Sequence, residues 1–498
     1  MQRRTVVKGL SAAAAAVPAV GFASSARAAS RVSAADALVF DPSAYTEQTV
    51  TITDATGTAH EVVYRFYKVA SYVANPVDAA YQSLNVCVPV KIDGTAVDAS
   101  GAPILLANAV GGYMPSSVAA KTGITATGMG GATTRQALAL AAGYVVVEPG
   151  ARGRTLVDAS GVYYGVAPAA IVDLKAAVRY LKSNKGRVPG NVNRIVSSGV
   201  SAGGALSSLL GASGDSPLYE PYLEAIGAAD ASDGIFAVGA WCPITDLEHS
   251  DMAYEWCWGG NKLASGALAD QALSAELKTA YADHVASLGL RAKGYGRLTA
   301  RNLDDYLLRT FMEPSATKYL AGLSDSARSA YLAANPFITW SGGKASFTWA
   351  DFLTHVGARR KSVPSFDTFD MASPENNLFG TGTTRARHFT LWSLRKQNGD
   401  SARLDEDIPE KLALMNSMYH LVDKVNSKRT KHWWIRLGTN DTDTSHTIAG
   451  NLHARLVQLG DDVNTSYYWD AGHGADQDPG DFVRWIGEVS GYRSKVRQ

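Results

Sequence analysis

Cysteine is nearly absent from this chain. Cys87, Cys242 and Cys257 are the three among 498 residues. An odd count in a chain this long does not make a disulfide scaffold. Cys87 lies in an alternating apolar run and reads as a buried hydrophobe. Cys242 and Cys257 have the option of pairing in an oxidising compartment. No cysteine–histidine spacing has the pattern of a metal site, so neither a metal nor a cofactor is expected. An excess of one charge is missing too. The 47 Lys and Arg balance 46 Asp and Glu, for a net charge of +1. That leaves no field to hold nucleic acid or an anionic membrane. Beyond the N-terminus there is no uninterrupted apolar run of about 18 residues, so no transmembrane helix is expected in the mature chain. No internal repeat and no low-complexity linker occur. What remains is an ordinary globular composition, 46% hydrophobic and 19% charged, with ample length for a large core.

The N-terminus reads as a targeting segment. Arg3-Arg4-Thr5-Val6-Val7-Lys8 is a twin-arginine pattern, and an Ala-rich apolar stretch follows from Gly9 to Ala23. Ala26-Arg27-Ala28 supplies an A-x-A cleavage site, with Ala29 as the mature start. Residues 1–28 are therefore expected to direct export by the twin-arginine route, to the envelope or beyond.

The chain is organised around Ile195 to Gly204. A short β-branched strand runs into Gly199-Val200-Ser201-Ala202-Gly203, and a small-residue helix starts at Ala205. No second Gly-x-Ser-x-Gly is present. Strand, Gly-x-Ser-x-Gly and helix in that order make the nucleophile elbow of serine hydrolases. Small neighbours let the chain turn sharply and leave the Ser201 hydroxyl exposed at the strand tip. The helix directs its N-terminal N–H groups at the same point, where negative charge would develop.

Either side of the elbow, strands and helices alternate. His60–Val73 and Ser83–Val90 read as early antiparallel strands, preceded by a polar, irregular stretch over 29–60. Pro103–Val110 reads as a strand buried on both faces, ending at Gly111-Gly112-Tyr113. Glycines at that place suit an oxyanion loop, in which a backbone N–H from Gly111 or Gly112 joins that of Ala202. Gln136–Ala142 is helical and Tyr144–Glu148 is the next strand. Arg152 and Arg154 follow on a loop, either solvated or tied to backbone carbonyls near the site; the structural role is preferred. Ala170–Lys182 has apolar residues at helical spacing, with Asp173, Lys175 and Arg179 expected outward. Gly234–Ile244 is a further strand. From His249 to Asp407 the alternation stops. It returns with a helix over Glu410–Val425, a strand over His432–Leu437, a helix over Ile448–Leu459, a strand over Thr465–Trp469 and a short closing helix over Phe482–Val489. The expected fold is α/β, a mostly parallel sheet with flanking helices. Its core spans 29–248 and 408–498, and 249–407 is an inserted lid over the C-terminal edge of the sheet.

A serine hydroxyl needs a base, and the base needs a carboxylate to orient it. In this fold the order is Ser, acid, His, each at a strand end. Strand 432–437 runs into Gly438-Thr439-Asn440-Asp441, and strand 465–469 into Asp470-Ala471-Gly472-His473-Gly474. Asp441 and His473 take the acid and base positions, with Asp443 as the alternative acid. His446 follows Asp441 too closely, and His453 lies mid-helix. The implied chemistry is acyl transfer to water.

With these residues in place, the chain resembles the bacterial subtype B tannases, tannin acyl hydrolases of the α/β-hydrolase fold. The resemblance rests on Gly-Val-Ser-Ala-Gly-Gly at 199–204, on Asp441-Thr442-Asp443 with His473 following, and on a lid segment from Lys361 to Gly380. That segment holds Lys361-Ser362-Val363-Pro364-Ser365-Phe366 and Ser373-Pro374-Glu375-Asn376-Asn377. In the family a lysine, a glutamate and an aspartate so arranged hold the galloyl hydroxyls, which implies Lys361, Glu375 and Asp443 here. The resemblance thus implies a small-molecule galloyl ester as substrate. Feruloyl ester hydrolysis is the nearest rival, and a catalytically dead polyphenol-binding protein is the rival from another class.

Overall fold

The computed structural model describes residues 38–422 and 426–493. The expected export signal over 1–28 lies outside the described residues.

Among the described residues, nine strands form the path of the main sheet. In chain order they are β1 (Tyr45–Thr53), β2 (Ala59–Val69), β3 (Leu84–Ile92), β4 (Ile104–Ala107), β5 (Val145–Pro149), β6 (Ile195–Val200), β7 (Ala237–Trp241), β8 (His432–Gly438) and β9 (Asp462–Tyr468). Their spatial order is β1-β2-β3-β5-β4-β6-β7-β8-β9, and the short strand Thr95–Ala96 pairs with β3. β1, β2, β3 and β5 pair antiparallel; from β5 through β9 every pairing is parallel. The parallel strands follow from composition. β4, β5 and β7 are buried at every residue, which suits a sheet covered on both faces.

β1 falls in the stretch expected to be irregular. Its Tyr-Thr-Glu-Gln-Thr-Val-Thr-Ile-Thr sequence buries Ile52 alone completely, because an edge strand open to water needs little apolar content. Ten helices flank the sheet or carry residues of the site: α1 (Arg135–Ala141), α2 (Ala169–Ser183), α3 (Ala202–Ala212), α4 (Ser250–Trp258), α5 (Gln271–Leu288), α6 (Asp325–Ala334), α7 (Trp349–Val356), α8 (Pro374–Leu378), α9 (His446–Gln458) and α10 (Pro479–Ser490). The helix expected over Glu410–Val425 is shorter. It spans Ile408–Met415 and stops where Asn416 turns its side chain to cap the short helix Ser417–His420. Residues 423–425 of that span are outside the description.

The polar residues of α2 point the other way from expectation. Asp173 and Lys175 are fully buried and Arg179 nearly so. Asp173 accepts from Arg152 Nη2 at 2.8 Å and from Gln82 Nε2 at 2.9 Å. Lys175 Nζ donates to Asp233 Oδ1 and to the Ser213 carbonyl, both at 2.8 Å. Arg179 reaches Asp233 and Glu220. The helix is buried along Ala169–Leu181, so partners on the segments around it replace water. Spacing along one helix carries no information about such partners.

Residues 249–407, between β7 and β8, contribute no strand to the main sheet; their strands form two small hairpins. This segment is fastened to the strand ends by polar contacts. Tyr254 and Trp258 of α4 donate to the carbonyls of Thr442 and Thr444, each at 2.7 Å. His355 of α7 pairs with Asp470 at 2.6 Å. No helix among the described residues is long and apolar enough to cross a membrane.

Removing one member of the buried Lys175–Asp233–Arg179 group leaves uncompensated charge inside the fold. Asp233→Ala is expected to lower unfolding free energy by about 3–5 kcal/mol, read from a denaturant titration of the purified protein.

Candidate active site

Ser201 sits between β6 and α3 at φ +57° and ψ −123°, in the left-handed region that side chains avoid. Its neighbours make that turn possible by close approach. A Cβ on Gly199 would lie 2.2 Å from the Gly203 carbonyl oxygen, and one on Gly203 would lie 2.6 Å from that of Val110. The glycines therefore serve packing, while the serine itself carries the unusual backbone angle. Ser201 N–H donates to the Trp241 carbonyl at 2.9 Å, which props the turn on β7. Asn108, the polar residue at the end of β4, donates to the Gly203 carbonyl and to Ser207 Oγ, both at 2.9 Å. It locks the strand carrying the Gly-Gly turn to the first turn of α3.

β8 and β9 bring in the other two groups. After β8, Asp441 is fully buried. After β9, the His473 loop runs against it: Asn440 N–H donates to the Ala471 carbonyl, and Thr439 N–H to that of Tyr468, both at 2.9 Å. His473 Nδ1 then lies 2.8 Å from Asp441 Oδ2, and His473 Nε2 lies 2.9 Å from Ser201 Oγ. Ser201, His473 and Asp441 thus form one hydrogen-bonded line from residues up to 272 positions apart. Asp443, the alternative acid, is not in that line. Its N–H donates to Asp441 Oδ1 at 3.0 Å and its carboxylate faces Arg360 at 2.8 Å. Burial works to lower the pKa of His473, but the Asp441 hydrogen bond and the adjacent Cys242 thiol outweigh it and raise it above the ordinary imidazole value.

Cys242, at φ +40°, places its sulfur 3.9 Å from His473 Nε2. The option of a Cys242–Cys257 bond is not taken. All three cysteines are free, and Cys257 instead accepts from Ser445 Oγ at 3.1 Å. The two thiols serve different surroundings, one beside the histidine and one on the buried face of α4.

Ser201, His473 and Gly112 line a cavity of about 460 Å³ together with Lys361, Glu375 and Asp443. Gly112 reaches the cavity wall at φ +52°; Gly111 stands behind it, its carbonyl taken by Met114 N–H at 2.9 Å. Ala202 is the first residue of α3, so its N–H has no partner within the helix. Of the basic run Arg359-Arg360-Lys361, only Arg360 is solvated, with 69% of its side chain exposed. Arg359 is buried against Glu255. Lys361 turns inward and rests its ammonium 3.6 Å from the Phe366 ring centroid. Burial lowers the Lys361 pKa, opposed first by Glu375 and then by Asp443, Asp251 and Asp441. Asp251 shapes the wall from below, accepting the N–H groups of Ser365, Phe366 and Asp367. Sequence patterning did not single out Thr368, Asp370 or Ile244, which also line this cavity. Their identities are unremarkable as polar or apolar loop residues, and only folding brings them to the cavity.

Two other features have less to offer. A larger cleft of about 680 Å³ lies between β3 and residues 185–192, far from any nucleophile–base pair. Asp246, His249 and His284 cluster closely enough to suggest a metal site. The two imidazoles, however, stack at 3.6 Å with planes 12° apart, and each bonds a different oxygen of Asp246. A ligated ion lies in the plane of each ring, and nearly parallel planes cannot share one. The cluster is a hydrogen-bonded clamp between the β7 end and α5.

A mostly parallel sheet with a serine at its elbow and an acid and histidine after later strands defines an α/β-hydrolase. The BD-FAE family profile matches residues 121–281. A search of curated protein sequences finds no significant match. Among solved structures, Fusobacterium nucleatum tannase is 38% identical, with a TM-score of 0.81, over 91% of this chain and 99% of that one. A tannin acyl hydrolase in complex with 3,4-dihydroxybenzoate is 37% identical with a TM-score of 0.80, and one in complex with ethyl gallate 36% with 0.79; each match covers 91% of this chain and 99% of the other. The chain belongs to the tannase, or tannin acyl hydrolase, family.

The environment of His473 has a measurable consequence. Its imidazole is expected to titrate above pH 6.5 by NMR of the ring protons, and Asp441→Asn is expected to bring that value down, because the stabilising carboxylate is gone.

Proposed function

We propose that this protein hydrolyses galloyl esters, with Ser201 as nucleophile, His473 as base and Asp441 as its orienting acid. The observation that carries the reading is the Ser201–His473–Asp441 line opening into the cavity that also holds Lys361, Glu375 and Asp443. Family membership supports the substrate, since one relative's structure holds ethyl gallate and another 3,4-dihydroxybenzoate.

His473 Nε2 takes the Ser201 proton as Oγ attacks the ester carbonyl. Asp441 stabilises the imidazolium that forms. The N–H groups of Ala202 and Gly112 receive the developing oxyanion. Collapse of the tetrahedral intermediate breaks the bond to the alcohol, which leaves with the proton returned by His473. Water then repeats the sequence on the acyl-enzyme and frees the acid.

The ring is recognised by matching donors to acceptors. Glu375 and Asp443 accept phenolic O–H, and the Lys361 ammonium donates to a phenolic oxygen. A ring without these hydroxyls would leave buried charges unpaired, which penalises it by a factor of up to about 10⁴. Methoxylated rings such as ferulate fit this set poorly. In the same reading, residues 249–407 act as the lid that carries Lys361 and Glu375, and the twin-arginine segment exports the folded enzyme.

Ser201→Ala is expected to reduce turnover of methyl gallate by about 10⁴-fold or more, with circular dichroism unchanged; persistent esterase activity would remove Ser201 from the role. Lys361→Ala and Glu375→Ala are each expected to lower kcat/KM for methyl gallate by about 10- to 100-fold, from the 1.5–3 kcal/mol of a charged hydrogen bond. Short aliphatic esters should be nearly unaffected, and equal losses on both substrates would show that these residues do not read the ring. A comparison of methyl gallate, methyl protocatechuate and methyl ferulate tests the substrate class itself.

A further inference from the structure

Arg154 takes no part in the hydrolytic steps, yet it stands where the two halves of the site meet. Its Nε donates to the Gly112 carbonyl at 2.7 Å. Its Nη1 donates to Asn377 Oδ1, also at 2.7 Å. Its backbone N–H donates to the Tyr113 carbonyl at 2.9 Å.

The first and third bonds hold an unusual turn. Gly112 and Tyr113 both have positive φ, +52° and +55°. Two consecutive left-handed residues, one with a bulky side chain, are not held by local preference and need support from outside. Arg154 supplies it to both carbonyls. Gly153 reinforces the contact: a Cβ there would lie 2.2 Å from Pro115 N, so the two segments touch backbone to backbone.

The second bond faces the lid. Asn377 lies two residues after Glu375 on α8 and is nearly buried. Its own amide donates to the Arg385 carbonyl at 2.7 Å, so its orientation is set before Arg154 reaches it. A guanidinium is a rigid planar fork that stays charged, so fixing one end of Arg154 constrains the other. A lysine would satisfy one acceptor and swing free of the second.

We infer that Arg154 is a positioning residue that couples the Gly112 oxyanion loop to the helix carrying Glu375. Its touch on the reaction is indirect: it sets where Gly112 N–H points and where α8 sits in one rigid connection. Seating of the ring and completion of the oxyanion site are then one geometric event. The inference rests on the proposed function for the identity of the ring, but the coupling itself does not require that ring to be galloyl.

Kinetics of Arg154→Ala and Asn377→Ala on methyl gallate and on a short aliphatic ester test it. Loss of one oxyanion donor costs about 10²–10³ in kcat, and a loosened donor costs less. Arg154→Ala is therefore expected to lower kcat about 10-fold or more on both esters, and to raise KM for methyl gallate alone. Guanidinium ion added to Arg154→Ala should restore part of kcat, which a general loss of stability would not permit. Arg154→Lys should recover kcat better than KM, keeping one bond of the two. Asn377→Ala cuts the lid side only and should raise KM for methyl gallate while leaving kcat on the aliphatic ester within about twofold of the parent, a shift of well under 1 kcal/mol. An unchanged aliphatic kcat in Arg154→Ala would overturn the inference. So would wild-type KM for methyl gallate in both alanine variants. If Arg154→Ala does not fold, the Arg154→Lys and Asn377→Ala pair decides the matter. A parent enzyme that prefers ferulate to gallate would instead refute the ring assignment and leave the kcat arm of this test standing.

Discussion

The left-handed conformation of Ser201 is the feature from which the whole site is built. A non-glycine residue held there costs about 1–3 kcal/mol, and the fold must offset it with contacts made nowhere else. Those contacts are backbone to backbone. Gly199 and Gly203 approach so closely that neither tolerates a Cβ, and the Ser201 N–H is tied to the last residue of β7. Asn108 closes the arrangement from β4. Parallel strands buried on both faces supply the rigidity this needs, since neither β6 nor its neighbours can shift without opening the core. The serine hydroxyl is fixed in space before any substrate arrives, and the loops after β8 and β9 need only meet it.

The segment between β7 and β8 adds a second kind of contact to the apolar core it shares with the sheet. The sheet coheres through apolar burial and ladder hydrogen bonds. This segment packs into that core, with Phe311 stacked on Tyr467 and Phe347 against Trp469, and is also tied to it by directional polar contacts: His355 with Asp470, Tyr254 and Trp258 with carbonyls beside Asp443, and two histidines with Asp246. The first three involve residues close in sequence to Asp441 or His473, and the last two a residue just after β7. The wall that bears Lys361 and Glu375 is thus registered against the Ser201–His473–Asp441 line by hydrogen-bond geometry, which fixes direction as well as distance. Apolar packing alone would hold the two parts together without setting their orientation so closely.

Charge inside the cavity follows from the same logic. Lys361 faces Glu375 and Asp443 across a space of about 460 Å³ rather than pairing tightly with either. Charged groups kept apart in a covered pocket are costly unless a ligand bridges them. Under the proposed function, a ring with adjacent hydroxyls would bridge them with donors and acceptors of the right sign.

Much of this was legible in the sequence, and the reason is local. Gly-x-Ser-x-Gly between a β-branched strand and a small-residue helix is an elbow because steric rules at that turn admit few alternatives. Apolar runs such as Ile-Leu-Leu-Ala name buried strands because only a doubly covered sheet accommodates them. The order serine, acid, histidine placed Asp441 and His473 because each sits in a loop just after a strand. The rest depended on what lies opposite. β1 carries too little apolar character to announce itself, being an edge strand. Asp173, Lys175 and Arg179 looked solvated because their partners, Arg152, Asp233 and Glu220, lie 21 to 58 positions away. For Arg154 the preferred structural role toward a backbone carbonyl is met at Gly112, while its second partner, Asn377, lies 223 positions away and was not legible. The strands, the elbow and the chemistry at the strand ends are each a property of a few adjacent residues, so the order of amino acids alone dictates them. Which charges are buried and which distant residues hold the Gly112–Tyr113 turn are settled by partners that adjacency cannot reveal, and these emerge only when the chain has folded.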